Sequence, residues 1–402
     1  MRNVILPLLL LATTTLSAQQ TVIRAARVLD GRGRAYANAA VVVEGPRIVR
    51  IETAPKHVDI DLGDRTLMPG GVDTHVHIAW HFDAKDGRSH DDETDRGETP
   101  EESVLYAAEN AAATLMGGIT TVQSLGARVD KPLRDAAARG NLPSPRILTA
   151  IDPIYEPKLT PNEMRAAVRK LKAEGADVVK IFASESIRSG GAPTMSQEQL
   201  DAICGEARSL GLRTAVHAHG PESVKRAVLA GCTSIEHGAL IDQPTLDLIA
   251  AHGTYFDPNI DLVFRNYFEN KAHFLGIGNY TDEGFAQMKN AVPKALNVFR
   301  MGLKTKGLKM VFGTDAVAGS HGRNFEELEY RVREGGQAPM DAIVSATSLA
   351  AESLGLGDRL GSIAPGYMAD LIAVDGNPLK DIGALSHVSF VMARGRVWKK
   401  PN

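Results

Sequence analysis

Hydrophobic positions along the chain change rhythm twice. From Val22 to Asp64, apolar and polar residues alternate in short runs, "TVIRAARVLD", "AAVVVEGPRIVRIE" and "VDIDLG", broken by glycine and proline. A period of two with such breaks predicts antiparallel strands rather than helices. The same rhythm returns near the end in "GSIAPGYMADLIAVDGNP" and "VSFVMARGRVWK". Two β-rich ends around a long middle predict one small β-sandwich domain made from residues 19–66 and 360–402.

The middle, 67–359, repeats a different unit: an apolar, β-branched strand followed by a stretch of helical periodicity. The strand candidates are eight, "TLMPGGVDTHVHI", "GITTVQSLG", "RILTAI", "DVVKIFAS", "RTAVHAHG", "TSIEHGAL", "TYFDPNID" and "KMVFGTDA". Between them lie helical stretches such as "PNEMRAAVRKLKAEGA" and "PESVKRAVLAGC", several opening at proline or an N-cap residue and closing at glycine. Eight alternations predict an α/β protein with a (β/α)8 TIM barrel. A doubly wound open sheet is the second choice, and no G-x-G-x-x-G follows the first strand to support it.

The first residues break both rhythms. Arg2, the apolar run Val4 to Ala12 and the exit Leu16-Ser17-Ala18 predict a secretory signal peptide over residues 1–18, hence a periplasmic or secreted protein. No other run approaches the length of about 18 apolar residues that a membrane helix needs, so no membrane span is expected. A net charge of -3 gives no electrostatic case for nucleic acid. The two cysteines, Cys204 and Cys232, read as buried free thiols, although an oxidising compartment would permit a bridge.

Histidines supply the chemistry. In "GGVDTHVHIAW", His75 and His77 sit one residue apart in an extended run, so both imidazoles face one side. Lys180 lies inside "DVVKIFAS", His217 ends "TAVHAHG", His237 lies in "SIEHG" and Asp315 ends "FGTDA". All six occupy predicted strands or strand ends, which a barrel gathers at one mouth. Imidazole nitrogen and carboxylate oxygen are ligands of a catalytic divalent metal, with zinc the default. A single histidine on a strand is more often a hydrogen-bonded core residue than a ligand. The joint placement on separate strands carries the reading. Lys180 in "VVKIF" would lose hydration unless paired or neutral, and a neutral amine could add carbon dioxide to form a carbamate.

"DTHVHI", "VVKIF", "HAHG", "IEHG" and "GTDA", in that order, resemble the amidohydrolase superfamily of metal-dependent hydrolases. "MPGGVDTHVH" and "GSIAPGYMADLIAVDGNPL" extend the likeness over nearly the whole chain after residue 18. The subgroup it looks most like is imidazolonepropionase-like and includes prolidase-like dipeptidases and ochratoxin-type amidases. The resemblance implies that His75, His77 and Asp315 hold a first metal and that His217 and His237 hold a second. A carbamylated (N6-carboxylated) Lys180 would bridge the two divalent ions, most simply zinc. One departure stands out: relatives often carry G-x-T-T-V-R-D at strand two, where this chain has "GITTVQS" with Gln123 and Ser124.

A hydroxide shared by such a pair would attack a substrate carbonyl, with Asp315 moving the proton to the leaving amine. His219, His321 and Tyr255 are candidate substrate contacts, with Asn259 a weaker one, and Glu222 reads as a first-turn helix residue. The polar segment from 81 to 103 reads as an exposed loop over the mouth, and its His81 and His90 receive no role. The favoured function is hydrolysis of a peptide-like amide: a dipeptide, including one with C-terminal proline, or an N-acyl amino acid. The alternatives are a metal-dependent hydrolase of a cyclic amide or lactone, and a binding barrel without chemistry, against which all six filled positions speak. The expected partner is a small molecule; a homo-oligomer is compatible with this reading.

Overall fold

The computed structural model describes residues 20–90 and 97–401. The expected signal peptide lies outside the described residues. Both chain ends join in one eight-stranded sheet. Its order runs Arg396–Lys399, Val388–Ala393, Leu371–Val374, Thr66–Pro69, Gln20–Leu29, Ala35–Glu44 and Arg47–Glu52, with Ile60–Asp61 also pairing Gln20–Leu29. The sheet is mixed rather than antiparallel throughout, because Gln20–Leu29 runs parallel to Thr66–Pro69 and to Ile60–Asp61. Thr66–Pro69 therefore belongs to this sheet and not to the run that carries His75; the sequence "TLMPGGVDTHVHI" splits at Gly70.

Parallel strands fill the middle. Gly71–Val76, Ile119–Ser124 and Arg146–Thr149 form a three-stranded sheet. Val178–Phe182, Arg213–Ala218, Ser234–His237, Tyr255–Asp257 and Lys309–Met310 form a five-stranded one. Isolated parallel bridges, Ile154 to Ile181 and Val76 to Ala316, join the two sheets at both seams, so the strands follow one another in cyclic order. Helices lie between consecutive strands. Thr99, Thr160 and Ser196 open three of them with reciprocal capping boxes to Glu102, Glu163 and Gln199; Gly175 closes the second of these, and Gly253 closes Gln243–His252, both in the left-handed region.

The alternation within each strand decides what the site contains. In Val178–Phe182, Val179 and Ile181 pack outward on helix residues such as Val168 and Leu200. Val178 turns the other way, into a small cluster with Leu125, Ala150 and Ala215, and Lys180 shares its side. In Arg213–Ala218, Val216 and Ala218 join the outer core, which leaves His217 on the side of Ala215.

The cysteines are bonded. Cys204, on the helix Gln197–Ser209, forms a disulfide with Cys232 in the turn before Ser234–His237, correcting the expectation of free thiols. Spacing along the chain did not reveal the pairing, because adjacent strand-helix units bring the two within a Cα separation of 5.2 Å.

Candidate active site

The cleft at the C-terminal ends of the parallel strands encloses about 680 Å³ including its open mouth, and His75, His77, Lys180, His217, His237 and Asp315 all line it. His75 Nε2 lies 3.3 Å from Asp315 Oδ1, and His77 Nε2 lies 3.2 Å from the same oxygen. Lys180 Nζ is 3.3 Å from His75 Nε2. The His217 and His237 rings are 4.7 Å apart, and His237 is 5.2 Å from His75.

Burial sets the protonation of this group. It holds His75, His217 and His237 well below the usual imidazole range, leaving neutral rings with lone pairs to donate. It also lowers the Lys180 ammonium, against the opposing pull of Glu236, Asp315 and Asp257. At Asp315 burial alone would raise the carboxyl, but His75 and His77 outweigh it and bring it down to about 2. Imidazole nitrogens grouped around a carboxylate are the donor set of a divalent metal. The ligand atoms of His75, His77 and Asp315 lie within 4.8 Å of one another, and His77 Nδ1 is buried without a hydrogen-bond partner among the described residues. The residues fit the metal that their chemistry implies.

A supporting layer, which sequence reading missed, holds the site in place. Glu236 Oε2 accepts from His75 Nδ1 at 3.1 Å, which fixes the ring and directs Nε2 into the cleft. Arg331, fully buried, reaches Glu327 at 3.0 Å and Asp257 at 3.5 Å beneath it. A side chain on Gly313 would collide with Asp257 and His75, so backbone packs there instead. His237, Asn259 and Asp315 take positive φ angles of 73°, 41° and 51°, the left-handed region where an L-residue costs of order 1 kcal/mol. Glu236 neighbours His237 in "SIEHG", and its place in that motif was the available signal.

The other candidates separate. His219 lines the cleft, burial lowers its ring to about 3, and its Nδ1 has no partner among the described residues. His321 Nε2 donates to the carbonyl of Trp80 at 3.0 Å, which makes it a backbone brace. Tyr255 opens its strand at the opposite end and its hydroxyl donates to Glu352 at 2.9 Å; this corrects its reading as a substrate contact. Asn259 donates to Asp257 at 3.2 Å, below the cleft floor, and Glu222 pairs with Arg226 in the first turn of Pro221–Leu229. Gln123 spans Thr74 O and Arg213, whose guanidinium burial lowers to about 10. The cleft also contains residues that no motif announced: Arg188, Tyr267 and Tyr280. The Arg188 guanidinium lies 3.9 Å over the Tyr280 ring, and Tyr280 donates its hydroxyl to Tyr267 at 2.9 Å.

Known proteins share this fold. A Xaa-Pro dipeptidase solved with methionine in its active site is 32% identical, with a TM-score of 0.84 over 95% of this chain and 100% of that one. A prolidase solved with N-methylphosphonate-L-proline is 27% identical, with a TM-score of 0.81 over 95% of this chain and 100% of that one. The ochratoxinase of Aspergillus niger is 27% identical over 98% of this chain and 89% of its own length. The amidohydrolase family pattern matches residues 66–398, and with the strand-end histidines in place the chain belongs to that family, as a hydrolase of amide bonds.

Proposed function

We propose that the protein is an exported dinuclear amidohydrolase that cleaves dipeptides, including those with C-terminal proline, or N-acyl amino acids. The observation that carries this reading is the convergence of His75 Nε2, His77 Nε2 and Asp315 Oδ1 with Lys180 Nζ 3.3 Å from the first of them. His75, His77 and Asp315 would hold one zinc, His217 and His237 a second, and carbamylated Lys180 would bridge them. Metal ions held by these residues would lower the pKa of a water and polarise the carbonyl under attack. Asp315 accepts the proton of the attacking water and returns it to the leaving nitrogen.

Arg188 supplies the substrate preference. Its cation faces the cleft beside Tyr267 and Tyr280, where it can pair with the free carboxylate of a dipeptide or N-acyl amino acid. His219, with its unpartnered Nδ1, is the second polar contact on the substrate. The scaffold this reading assumes is a (β/α)8 barrel in the middle of the chain and a small β-sandwich domain made by both chain ends, with Thr66–Pro69 on the end-domain side. The Cys204–Cys232 bridge suits an oxidising compartment and supports periplasmic or secreted placement. Among the described residues, no helix is long and apolar enough to cross a membrane.

The test is turnover of Xaa-Pro dipeptides, N-acyl amino acids and a cyclic amide by zinc-loaded protein. We expect hydrolysis of the carboxylate-bearing amides, lost on chelation and restored by zinc. Turnover that survives complete chelation, or that is confined to the cyclic amide, would overturn the reading.

A further inference from the structure

The hairpin at the cleft mouth carries a second histidine cluster. His81–Phe82 and Ser89–His90 pair antiparallel with His81 opposite His90, and the following chain returns Glu98 to the same point. All three side chains are buried, with exposures of 6%, 9% and 5%. Their ligand atoms lie within 4.8 Å of one another.

The bonding around the cluster is incomplete in a particular way. His81 Nδ1 donates to the carbonyl of Ala79 at 2.9 Å, which places that ring's proton on Nδ1. Its Nε2 faces Glu98 Oε2 at 3.1 Å. Either a proton on the imidazole or a cation between the two atoms would satisfy that contact. His90 Nδ1 touches the same carboxylate yet makes no hydrogen bond, and Glu98 Oε1 has no partner among the described residues. The His81 ring is held rigid by stacking on Tyr106, with centroids 4.1 Å apart.

We propose that His81, His90 and Glu98 bind a zinc ion, separate from the cleft metals, that pins this hairpin. Two imidazole nitrogens and a carboxylate oxygen, completed by water, make a tetrahedral zinc shell, and the Ala79 carbonyl is the outer partner that orients His81. The position gives the ion a purpose. Trp80, which immediately precedes His81, lines the cleft and packs at a tilt against His77 with ring centroids 4.6 Å apart. Asn110 Nδ2 and His321 Nε2 both donate to the Trp80 carbonyl at 3.0 Å, so pinning the hairpin fixes one wall of the active site.

The experiment compares zinc per chain, by elemental analysis, in the wild-type protein, His90→Ala and Glu98→Gln after equilibration with zinc alone. Each variant should hold one zinc fewer than wild type, whatever number the cleft itself retains. The wild-type protein gives a second readout that does not depend on a variant folding: anomalous diffraction at the zinc edge should place a peak about 2.0–2.2 Å from His81 Nε2, His90 Nδ1 and Glu98. Equal zinc content in wild type and both variants, or a wild-type map with no peak at the hairpin, would leave a protonated histidine–carboxylate pair and overturn the proposal.

Discussion

At the C-terminal ends of the parallel strands, imidazoles, an ammonium and a carboxylate crowd together with few ordinary hydrogen bonds. His77 and His219 each leave a buried nitrogen unpartnered among the described residues, and His237 and Asp315 adopt strained backbone. At the N-terminal ends of the seventh and eighth strands the same kinds of group satisfy one another. Tyr255 donates to Glu352 at 2.9 Å, Lys309 donates to that carboxylate at 2.8 Å, and the lysine lies 5.0 Å over the tyrosine ring. The difference teaches where to look for chemistry. Groups that could be neutralised by neighbours are so neutralised at one end, whereas the other end retains buried lone pairs that only a metal or substrate can use.

The comparison can be broken by substitution. Asp315→Asn removes the group proposed both to carry the proton and to hold metal, and should lower kcat/KM by roughly 10²- to 10⁴-fold in a steady-state dipeptide assay. Glu236→Gln leaves the cleft lining intact but frees the His75 ring, and should weaken metal affinity about 10- to 100-fold in a competition titration with a chelator.

Acid should act through the braces as well as the ligands. Burial lowers His321 to about 4 from an ordinary 6.5, so between those values the unfolded chain binds more protons than the folded one. Stability should therefore fall as pH drops through that window, and His321→Asn should flatten the slope of denaturation midpoint against pH. The smallest effect belongs to the opposite end. Tyr255→Phe breaks a half-exposed pair, and should change kcat by less than about twofold and stability by less than about 1 kcal/mol in urea unfolding.

Sequence reading reached the histidines, lysine and aspartate that line the cleft because strand alternation is local. In "DTHVH" and "VVKIF", a period of two determines which side chains share a face, and tertiary context did not alter it. The strand order followed from the repeated strand-helix unit. What remained hidden depends on contacts between distant segments. Cys204 and Cys232 face each other only because consecutive units stack side by side. Arg188, Tyr267 and Tyr280 meet from loops and helices after different strands, where no periodicity records the path of the chain. Tyr255 was misplaced because it opens its strand, Tyr255–Asp257, and in a parallel sheet the first residue lies at the end away from the cleft.

The central claim is that Lys180 becomes a carbamate that bridges two metals, and bicarbonate dependence tests it most directly. Metal-free protein would be reconstituted with zinc in carbon dioxide-depleted buffer, with and without added bicarbonate, and dipeptide turnover followed. The account predicts little activity without bicarbonate and full recovery with it, and no recovery for Lys180→Ala in either buffer. Equal recovery in both buffers, with Lys180→Ala as active as wild type, would contradict it.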